Sequence, residues 1–242
     1  MIEFNGVSKL YRSAKRRADS MKDIFSFKRF SCANHIQTSI FTAVNNVSFH
    51  INEGDAVGIL GRNGAGKSTI LKLMTRIILP TNGFIRINGT FSTLLEVGAG
   101  FHHDLSGYEN IFLSGAILGM NRKTVKQSLD EIIAFSEIGD FINAPVKYYS
   151  SGMFLRLAFS IGVHLKSDIL VVDEAMLVGD SYFQDKCLHK INEIKKNKKT
   201  VVFVSHDLNQ VAAICNKAII IEQGSVIFDG NVDDAIRLYT SR

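Results

Sequence analysis

The sequence predicts an α/β fold, in which a sheet covered on both faces carries an inserted block of helices. Three runs are continuously apolar, as strands buried on both faces are: Ala56–Leu60, Ile169–Val172 and Val201–Val204. Between the first two runs, residues of roughly 105–165 place apolar side chains at helical spacing. Because 46% of the 242 residues are hydrophobic, the chain has enough apolar material for one large domain.

The N-terminal part reads as a region of short strands. A strand is expected to begin at Glu3 and to break at Gly6, and a second one covers the alternating segment Ala43–Phe49. No clean periodicity is visible from Ser13 to about Thr42. Alternation returns over Phe84–Asn88, which predicts another strand.

The inserted block is predicted to contain three helices, at Glu109–Met120, Thr124–Phe135 and Ser151–Leu165. The second helix places four apolar residues on one face: Val125, Leu129, Ile132 and Ile133. The third stacks three of them one turn apart: Leu155, Phe159 and Val163.

The last part of the chain predicts two strands and a closing helix. The strands are Ala218–Glu222 and Val226–Phe228, with a turn at Gly224 between them, and the helix covers Asp233–Tyr239.

Composition excludes several classes of protein. No run of 18 apolar residues exists that could cross a bilayer, and the first residues lack the basic start and long apolar stretch of a secretory signal. The three cysteines, Cys32, Cys187 and Cys215, are far apart in the sequence. Their number and spacing indicate free thiols in a reducing cytosol and no metal site.

The excess of positive charge is local. Between Arg12 and Arg29 the chain carries seven basic and two acidic residues, a net of +5 that equals the net charge of the whole protein. Such a segment suits a membrane surface or an anionic lipid head group, or it is a loop that solvent surrounds. A nucleic-acid enzyme more often spreads its excess over a face or groove.

A phosphate-binding loop follows the first buried strand. The pattern Gly-x-x-x-x-Gly-Lys-Ser lies between Ala56–Leu60 and the helical segment Ile70–Met74, which is the strand-turn-helix context that such a loop requires. The residues of the loop are Gly61, Arg62, Asn63, Gly64, Ala65, Gly66, Lys67, Ser68 and Thr69. Lys67 is expected to reach the β- and γ-phosphates, and the Ser68 hydroxyl to ligate Mg²⁺.

Carboxylates and a histidine end the other two buried strands. Asp173 and Glu174 follow the second strand, about a hundred residues after the loop, as in nucleotide hydrolases; taken alone, such a pair more often caps the next helix. Asp173 is expected to hold Mg²⁺ through water, and Glu174 to accept the proton of the attacking water. His206 follows the third strand and is read as a sensor of the γ-phosphate, although alone it would be an ordinary histidine.

A fourth motif, Tyr149-Ser150-Ser151-Gly152-Met153, opens the third predicted helix, and with it the chain resembles the ATP-binding-cassette ATPases. The resemblance implies that Ser150, Ser151 and Gly152 bind the γ-phosphate of an ATP held by a second subunit. It also implies that Tyr11 stacks on adenine and that Asp180 belongs to the loop after the second carboxylate. Glu96 stands where most cassettes have glutamine, in a position that could reach Mg²⁺.

The fold that this resemblance implies is a P-loop NTPase cassette. Its parts would be a mixed-sheet core, an N-terminal antiparallel β region and an inserted helical subdomain at about 100–165. Residues 1–242 would form a single nucleotide-binding domain, with a basic insert at about 12–42 and no C-terminal carbohydrate-binding domain.

Several segments resemble one subfamily, the ATPase subunits of polysaccharide exporters. They are Tyr149–Met153, Leu94–Phe101, Leu105–Asn110 and Val178–Cys187, together with the long insert. The resemblance implies a homodimer bound to an integral-membrane permease at the cytoplasmic face of the inner membrane. The cargo would be a lipid-linked polysaccharide, which the basic insert could approach; we favour lipopolysaccharide O-antigen, with teichoic acid or capsular polysaccharide as alternatives.

Three rival classes fit the motifs less well. A plain P-loop kinase explains neither the Tyr149–Met153 motif nor His206. A soluble cassette ATPase acting on nucleic acid or the ribosome usually carries long coiled arms or two cassettes in one chain, and neither is visible, so no nucleic-acid partner is expected. An importer or drug-exporter ATPase fits poorly with the Ser-Ser-Gly-Met turn and with Glu96.

Overall fold

Two sheets of different construction organise the chain in the computed structural model, which describes residues 1–15, 37–93, 100–117, 120–164, 167–173 and 180–241. Glu96, Glu174, Cys32 and most of the basic insert lie outside the described residues.

The N-terminal sheet has three antiparallel strands in the order β2-β1-β4: β1 Ile2–Lys15, β2 Gln37–Ile51 and β4 Asn82–Ile87. The strand predicted around Glu3, Phe4 and Val7 is interrupted at Gly6 as expected, but it is not short, because β1 continues to Lys15. Gly6 adopts a φ of 58°, and the pairing shifts register between Phe4 and Val7. The glycine therefore makes a β-bulge, and the strand continues beyond it. β1 and β2 also extend into the segment without clear periodicity.

The central sheet has six strands in the order β5-β6-β7-β3-β8-β9. Neighbouring strands are parallel except for β8 and β9, which form an antiparallel pair, so the sheet is mixed as predicted. Its strands are β3 Ala56–Leu60, β5 Phe91–Thr93, β6 Ile169–Asp173, β7 Thr200–Val204, β8 Lys217–Glu222 and β9 Ser225–Asn231.

Seven α-helices lie within the described residues: α1 Lys67–Met74, α2 Gly107–Ile117, α3 Arg122–Ser136, α4 Ser151–His164, α5 Ser181–Lys196, α6 Leu208–Ile214 and α7 Val232–Thr240. Two short 3₁₀ helices, Gly139–Asn143 and Val146–Tyr148, connect α3 to α4. Helices α1 to α4 and α7 were predicted from the sequence, whereas α5 and α6 were not. No helix of the described ranges combines the length and hydrophobicity that a membrane crossing needs.

Alternate residues of the central strands supply two separate cores. In β6, Leu170 and Val172 pack with α4 to α7, whereas Ile169 and Val171 pack with α1 and the antiparallel sheet. A strand buried on both faces must be apolar at every position, which explains the continuous apolar runs.

A third cluster of buried side chains belongs to α2, α3 and the first half of α4. Its members include Phe101, Ile111, Val125, Leu129, Ile132 and Leu157. We call the part of the chain from 101 to 164 the helical block; its status as a subdomain with bounds near 100 and 165 stays a prediction.

Candidate nucleotide site

Three parallel strands end at the same level, and each delivers a predicted site segment there. Ile59 of β3 pairs with Val204 of β7, which pairs in turn with Asp173 of β6. Since adjacent strands lie about 4.8 Å apart, the ends of β3 and β6 are about 10 Å apart. The loop that starts at Gly61, the residue His206 and the carboxylate of Asp173 therefore share one edge of the sheet. Ligands of open α/β sheets bind at this carboxyl edge.

The phosphate loop turns into α1 through backbone that an L side chain rarely adopts. Gly66 has a φ of 110° and immediately precedes α1, and a Cβ built there would lie 2.6 Å from the carbonyl oxygen of Ala43. The position therefore requires glycine both for its conformation and for space. Arg62, Asn63 and Gly64 are exposed at the rim of the loop, whereas Ala65 is buried beneath it.

The loop is fixed to both sheets. The N–H of Gly224, in the turn between β8 and β9, donates to the Ala65 carbonyl at 2.8 Å. The Gly224 carbonyl accepts from the N–H of Asn45 in β2, also at 2.8 Å. This turn thus bridges the antiparallel sheet and the phosphate loop, a contact that the sequence analysis did not predict.

Lys67 lies at the start of α1 with its ammonium over the loop. Its Nζ donates to the carbonyls of Gly61 at 2.6 Å and Arg62 at 3.3 Å. The first N–H groups of a helix have no acceptor within the helix, so those of Lys67, Ser68 and Thr69 are available to an anion. The N–H of Ile70 donates to the Gly66 carbonyl at 3.0 Å and begins the helical ladder.

The groups expected to handle magnesium and water lie beside this helix start. The Ser68 side chain is exposed, and Asp173 is half-buried at the end of β6. Hydroxyl, carboxylate and phosphate oxygens are the ligands that Mg²⁺ prefers, and the ion usually keeps several waters, so this pair fits a metal shared with a nucleotide. Within the described ranges, no group of three or more His, Cys, Asp or Glu side chains could hold a metal by itself.

His206 is exposed immediately after the buried Ser205. The Ser205 hydroxyl accepts from the N–H of Asp207 at 3.0 Å, and the Asp207 carboxylate caps α6 by accepting from the N–H of Asn209 at 2.9 Å. These two bonds fix the backbone on both sides of the histidine and direct the segment along the carboxyl edge.

Tyr11 lies on β1 opposite Phe41 of β2, close to where β2 contacts the phosphate loop. Its side chain is 38% exposed, and the Lys9 ammonium lies 5.5 Å from the ring centroid. One face of an exposed ring near the loop is what stacking on adenine needs.

The Ser150–Gly152 turn is built on a different core. Ser150 caps α4, because its Oγ accepts from the N–H of Met153 at 3.2 Å. Ser151 is exposed, and a Cβ at Gly152 would meet little besides the Ser150 Oγ at 3.9 Å. Met153 and Phe154 pack into the third cluster. In contrast, α1 and Ala65 of the phosphate loop pack on the face of the central sheet that is covered by the antiparallel sheet.

Asp180 begins α5 and is held from two directions. Its Oδ1 accepts from the N–H of Phe183 at 2.8 Å, and its Oδ2 pairs with Arg156 of α4 at 2.6 Å. The Phe183 N–H, followed by the Arg156 charge, lowers the pKa of the Asp180 carboxyl below its ordinary value. Arg156 also pairs with Glu137 at 3.2 Å, and Glu137 pairs with Lys186 at 2.6 Å. Alternating charges thus join α3, α4 and α5.

The predicted residues therefore fall into two groups. The loop, Asp173 and His206 meet at the carboxyl edge. A groove of about 630 Å³ borders the loop on its other side, towards β8, and is lined by Arg62, Gly64, Glu222 and other residues but not by Asp173 or His206. Ser150, Ser151 and Gly152 stand at the start of α4 with Asp180 nearby through Arg156. Arg156 and the Gly224 turn were not predicted from the sequence.

The two described cysteines take no part in this chemistry. Cys187 and Cys215 are free and buried, and burial raises the pKa of each thiol to about 12. Neither would supply a thiolate near neutral pH.

Comparison with known proteins agrees with this assembly of motifs. Residues 44–177, more than half of the chain, match the family model described as ABC transporter. The chain belongs to the ABC transporter family, as its motifs predict.

Several of its relatives are named as ATP-binding proteins of export systems. The O-antigen export system ATP-binding protein RfbB of Myxococcus xanthus is 51% identical over 188 residues, which are 78% of this chain and 43% of the relative. The teichoic acids export ATP-binding protein TagH of Bacillus cereus is 42% identical over 98% of this chain and 42% of its own length. This chain thus spans less than half of either relative. The RfbB protein of Klebsiella pneumoniae is 41% identical over 99% of this chain and 97% of its own length.

Solved structures confirm the predicted cassette fold. A dimeric ATP-binding cassette in a post-hydrolysis state with ADP and Pi superposes with a TM-score of 0.74 at 21% identity, covering 96% of this chain and 99% of its own. The ATP-binding subunit of an ABC transporter gives 0.75 at 20% identity, covering 100% of this chain and 94% of its own.

Proposed function

We propose that the chain is the ATP-binding and ATP-hydrolysing subunit of a transporter that exports a lipid-linked polysaccharide. The convergence of the phosphate loop, Asp173 and His206 at one sheet edge is the observation that supports the ATPase activity most directly. The names of the relatives, which are ATP-binding proteins of O-antigen and teichoic acid export systems, support the transport role.

In this proposal the γ-phosphate of ATP is transferred to water. Lys67 and the start of α1 stabilise the phosphate charge, and Glu174 takes the proton of the attacking water. His206 contacts the γ-phosphate, and Tyr11 holds the adenine. Ser68 and Asp173, with Glu96 as a third candidate, would hold Mg²⁺, which would supply further neutralisation of the phosphate charge.

The active form is a homodimer in this proposal. Met153 and Phe154, which follow the Ser150–Gly152 turn, pack in a different cluster from the phosphate loop. This separation supports the proposal that the turn completes the site of a second copy. ATP then closes the dimer, and hydrolysis removes the contact that holds the halves together. The dimeric state of a structural neighbour supports this arrangement.

The Glu174→Gln variant tests the catalytic assignment. It keeps the shape of the side chain but removes the base, so we expect it to bind ATP, to lose about 10²-fold or more in turnover and to accumulate as an ATP-bound dimer. Size-exclusion chromatography with light scattering, with and without Mg-ATP, measures the dimer. Turnover close to that of the unmodified chain would remove Glu174 from the role of base.

The permease partner is proposed to dock on the helical block. A groove of about 350 Å³ lies between α2 and α3 and is lined by Tyr108, Glu109, Phe112, Ala116, Met120, Arg122 and Val125. Tyr108 packs beside Phe112 with ring centroids 5.2 Å apart, and the Arg122 guanidinium lies 5.3 Å from the Phe112 ring centroid. An apolar groove with an aromatic wall and charged rims suits an amphipathic helix. In this proposal the protein is a peripheral subunit on the cytoplasmic face of the inner membrane.

The basic insert at 12–42 is proposed to approach an anionic lipid, either the inner leaflet or the pyrophosphate of the lipid-linked glycan. Ile40 and Phe41 of β2, at 62% and 59% exposure, add apolar surface at the described edge of this segment. Each basic group near an anionic surface contributes about 1 kcal/mol.

Neutralising Lys15, Arg16 and Arg17 together to glutamine is the test of this contact. We expect surface display of the glycan to decrease while ATP hydrolysis by the purified chain stays the same. Undiminished display would exclude a role for these charges.

O-antigen remains the favoured cargo, with teichoic acid and capsular polysaccharide as alternatives. Deleting the gene and identifying the polymer that accumulates inside the cell distinguishes them. Co-purification with nucleic acid, in place of a membrane permease, would instead support a soluble cassette ATPase.

A further inference from the structure

A buried amide in the helical block has no role in the function proposed so far. Asn110 lies in the second turn of α2 and is completely buried. An asparagine is unfavourable inside a helix, because its side chain competes for backbone hydrogen bonds. A buried one must also satisfy every polar atom of its amide.

The Asn110 amide binds the backbone of the segment that precedes α2. Its Oδ1 accepts from the N–H of His102 at 2.8 Å. Its Nδ2 lies within hydrogen-bond distance of the carbonyls of His102 at 3.1 Å, Leu105 at 3.1 Å and Ser106 at 2.9 Å. One side chain therefore determines the path of residues 101–106, which directly follow the segment containing Glu96.

Segment 101–106 is bonded in turn to segment 144–149, which leads into the Ser150 turn. The N–H of Val146 donates to the Leu105 carbonyl at 3.0 Å, and the N–H of Lys147 donates to the His103 carbonyl at 3.1 Å. Lys147 and Asp104 also form an ion pair of 2.9 Å at the surface. The two segments thus run side by side, joined mainly by their backbones.

Segment 101–106 contacts the far side of the same turn as well. The Phe101 ring meets the Phe154 ring edge to face, with centroids 4.9 Å apart, and Phe154 lies in the first turns of α4. The N–H of Phe154 donates to the Ser150 carbonyl at 3.0 Å. Residues on both sides of Ser150–Gly152 are therefore in contact with the backbone that Asn110 organises.

We propose that Asn110 is a positioning residue for the Ser150–Gly152 turn. Acting through segment 101–106, it sets the position at which the turn meets the nucleotide of a second copy. This inference rests on the proposed function, because it assigns a role within the dimeric site.

The test compares Asn110→Ala with Asn121→Ala, each in the Glu174→Gln background. Asn121 is the matched control, because it is an asparagine of the same helical block that caps α3 by accepting from the Thr124 N–H at 2.9 Å. We expect Asn110→Ala to raise the ATP concentration needed for half-maximal dimerisation by about tenfold, within the range of coupling between two sites. The affinity of the dilute monomer for a fluorescent ATP analogue should stay the same.

A merely structural role predicts a different pattern, in which the two variants lose dimerisation in proportion to their loss of melting temperature. That result, or normal dimerisation by Asn110→Ala, would overturn the inference. In the same variants without the Glu174 change, kcat should fall with little change in KM.

Hydrogen exchange measures the positioning without depending on the dimer. In Asn110→Ala without nucleotide, the amides of Val146, Lys147 and Met153 should exchange faster, whereas in Asn121→Ala they should not. Unchanged exchange would refute the positioning role. If the Glu174→Gln parent itself never dimerises with ATP, the proposed dimeric function fails, and the exchange experiment still decides whether Asn110 orders the turn.

A second pair of variants covers the case in which Asn110→Ala does not fold. A Cβ at Gly107, the first residue of α2, would collide with the Tyr149 hydroxyl, which donates to the Phe141 carbonyl at 2.7 Å. Gly107→Ala should therefore weaken ATP-dependent dimerisation, and adding Tyr149→Phe should recover most of it. Normal dimerisation by Gly107→Ala would contradict the coupling between α2 and the turn.

Discussion

Lys67 contacts its own loop in this structure and is proposed to contact phosphate when a nucleotide binds. In this structure its ammonium donates to two carbonyls of the loop, Gly61 and Arg62. These bonds hold the charge near the start of α1, where the proposed function has it bind phosphate together with the first N–H groups of the helix. The loop is thus organised before the nucleotide binds.

Replacing Lys67 with alanine should weaken ATP binding by about tenfold to a hundredfold, because a hydrogen bond to a charged group contributes about 1.5–3 kcal/mol. Isothermal titration with a slowly hydrolysed ATP analogue measures the affinity. Lys72→Ala is the matched control, since Lys72 is an exposed lysine in the last turn of the same helix. Equal losses in the two variants would show that general charge, and not contact with phosphate, attracts the nucleotide.

At the scale of elements, the buried central strands were the most predictable part of the chain, and helices α5 and α6 were the least. β3, β6 and β7 are apolar throughout because both faces of the sheet are covered. After the Asp180 cap, α5 carries four buried residues at helical spacing: Phe183, Cys187, Ile191 and Ile194. This periodicity is present in the sequence, but the helix was not predicted from it. α6 has seven residues, too few for a clear period.

The candidate site divides in the same way. The ends of β3, β6 and β7 could be located from sequence, and with them the phosphate loop, Asp173 and His206. The pairing of Asp180 with Arg156, the network of Asn110 and the contact of Gly224 with Ala65 join residues far apart in the chain. Such contacts depend on tertiary structure and leave no local pattern.

The carboxylate of Asp180 at the start of α5 should make the stability of the fold depend on pH. The pKa of Asp180 is lower in the folded protein than its ordinary value of about 4, so its ionised form stabilises the fold above that pH. This contribution decreases as the pH falls towards the folded-state pKa. Asparagine caps a helix about as well as aspartate, so Asp180→Asn removes mainly the charge that pairs with Arg156.

We therefore expect Asp180→Asn to lower the melting temperature at pH 6–7, and the difference from the unmodified chain to shrink below about pH 4. Thermal melts across this range measure it. Asp185→Asn removes an exposed carboxylate from the same helix and serves as the control. A difference that does not depend on pH would mean that the charge of Asp180 is not what stabilises α5.

At the scale of the whole molecule, the nucleotide site and the proposed permease groove belong to different parts of the fold. The phosphate loop packs on the face of the central sheet that is covered by the antiparallel sheet, whereas the groove lies between α2 and α3. Substitutions in the groove should therefore impair binding of the permease without affecting the binding or hydrolysis of ATP.

Ala116→Arg places a long charged side chain in the groove at an exposed position. We expect it to abolish co-purification of the permease from membranes of the native host while ATP-dependent dimerisation in the Glu174→Gln background persists. Ala134→Arg makes the same change at an exposed position of α3 that does not line the groove, and it should retain both properties. Retention of the permease by Ala116→Arg would place the docking surface elsewhere.

The turn at Gly224 touches both the phosphate loop and β2, so the seam between the two sheets passes through the place where the triphosphate is expected to rest. A molecule bound there would hold together residues that are more than 150 positions apart in the sequence. Adding ATP should therefore increase the resistance to thermal unfolding of the β8–β9 hairpin as much as that of the phosphate loop.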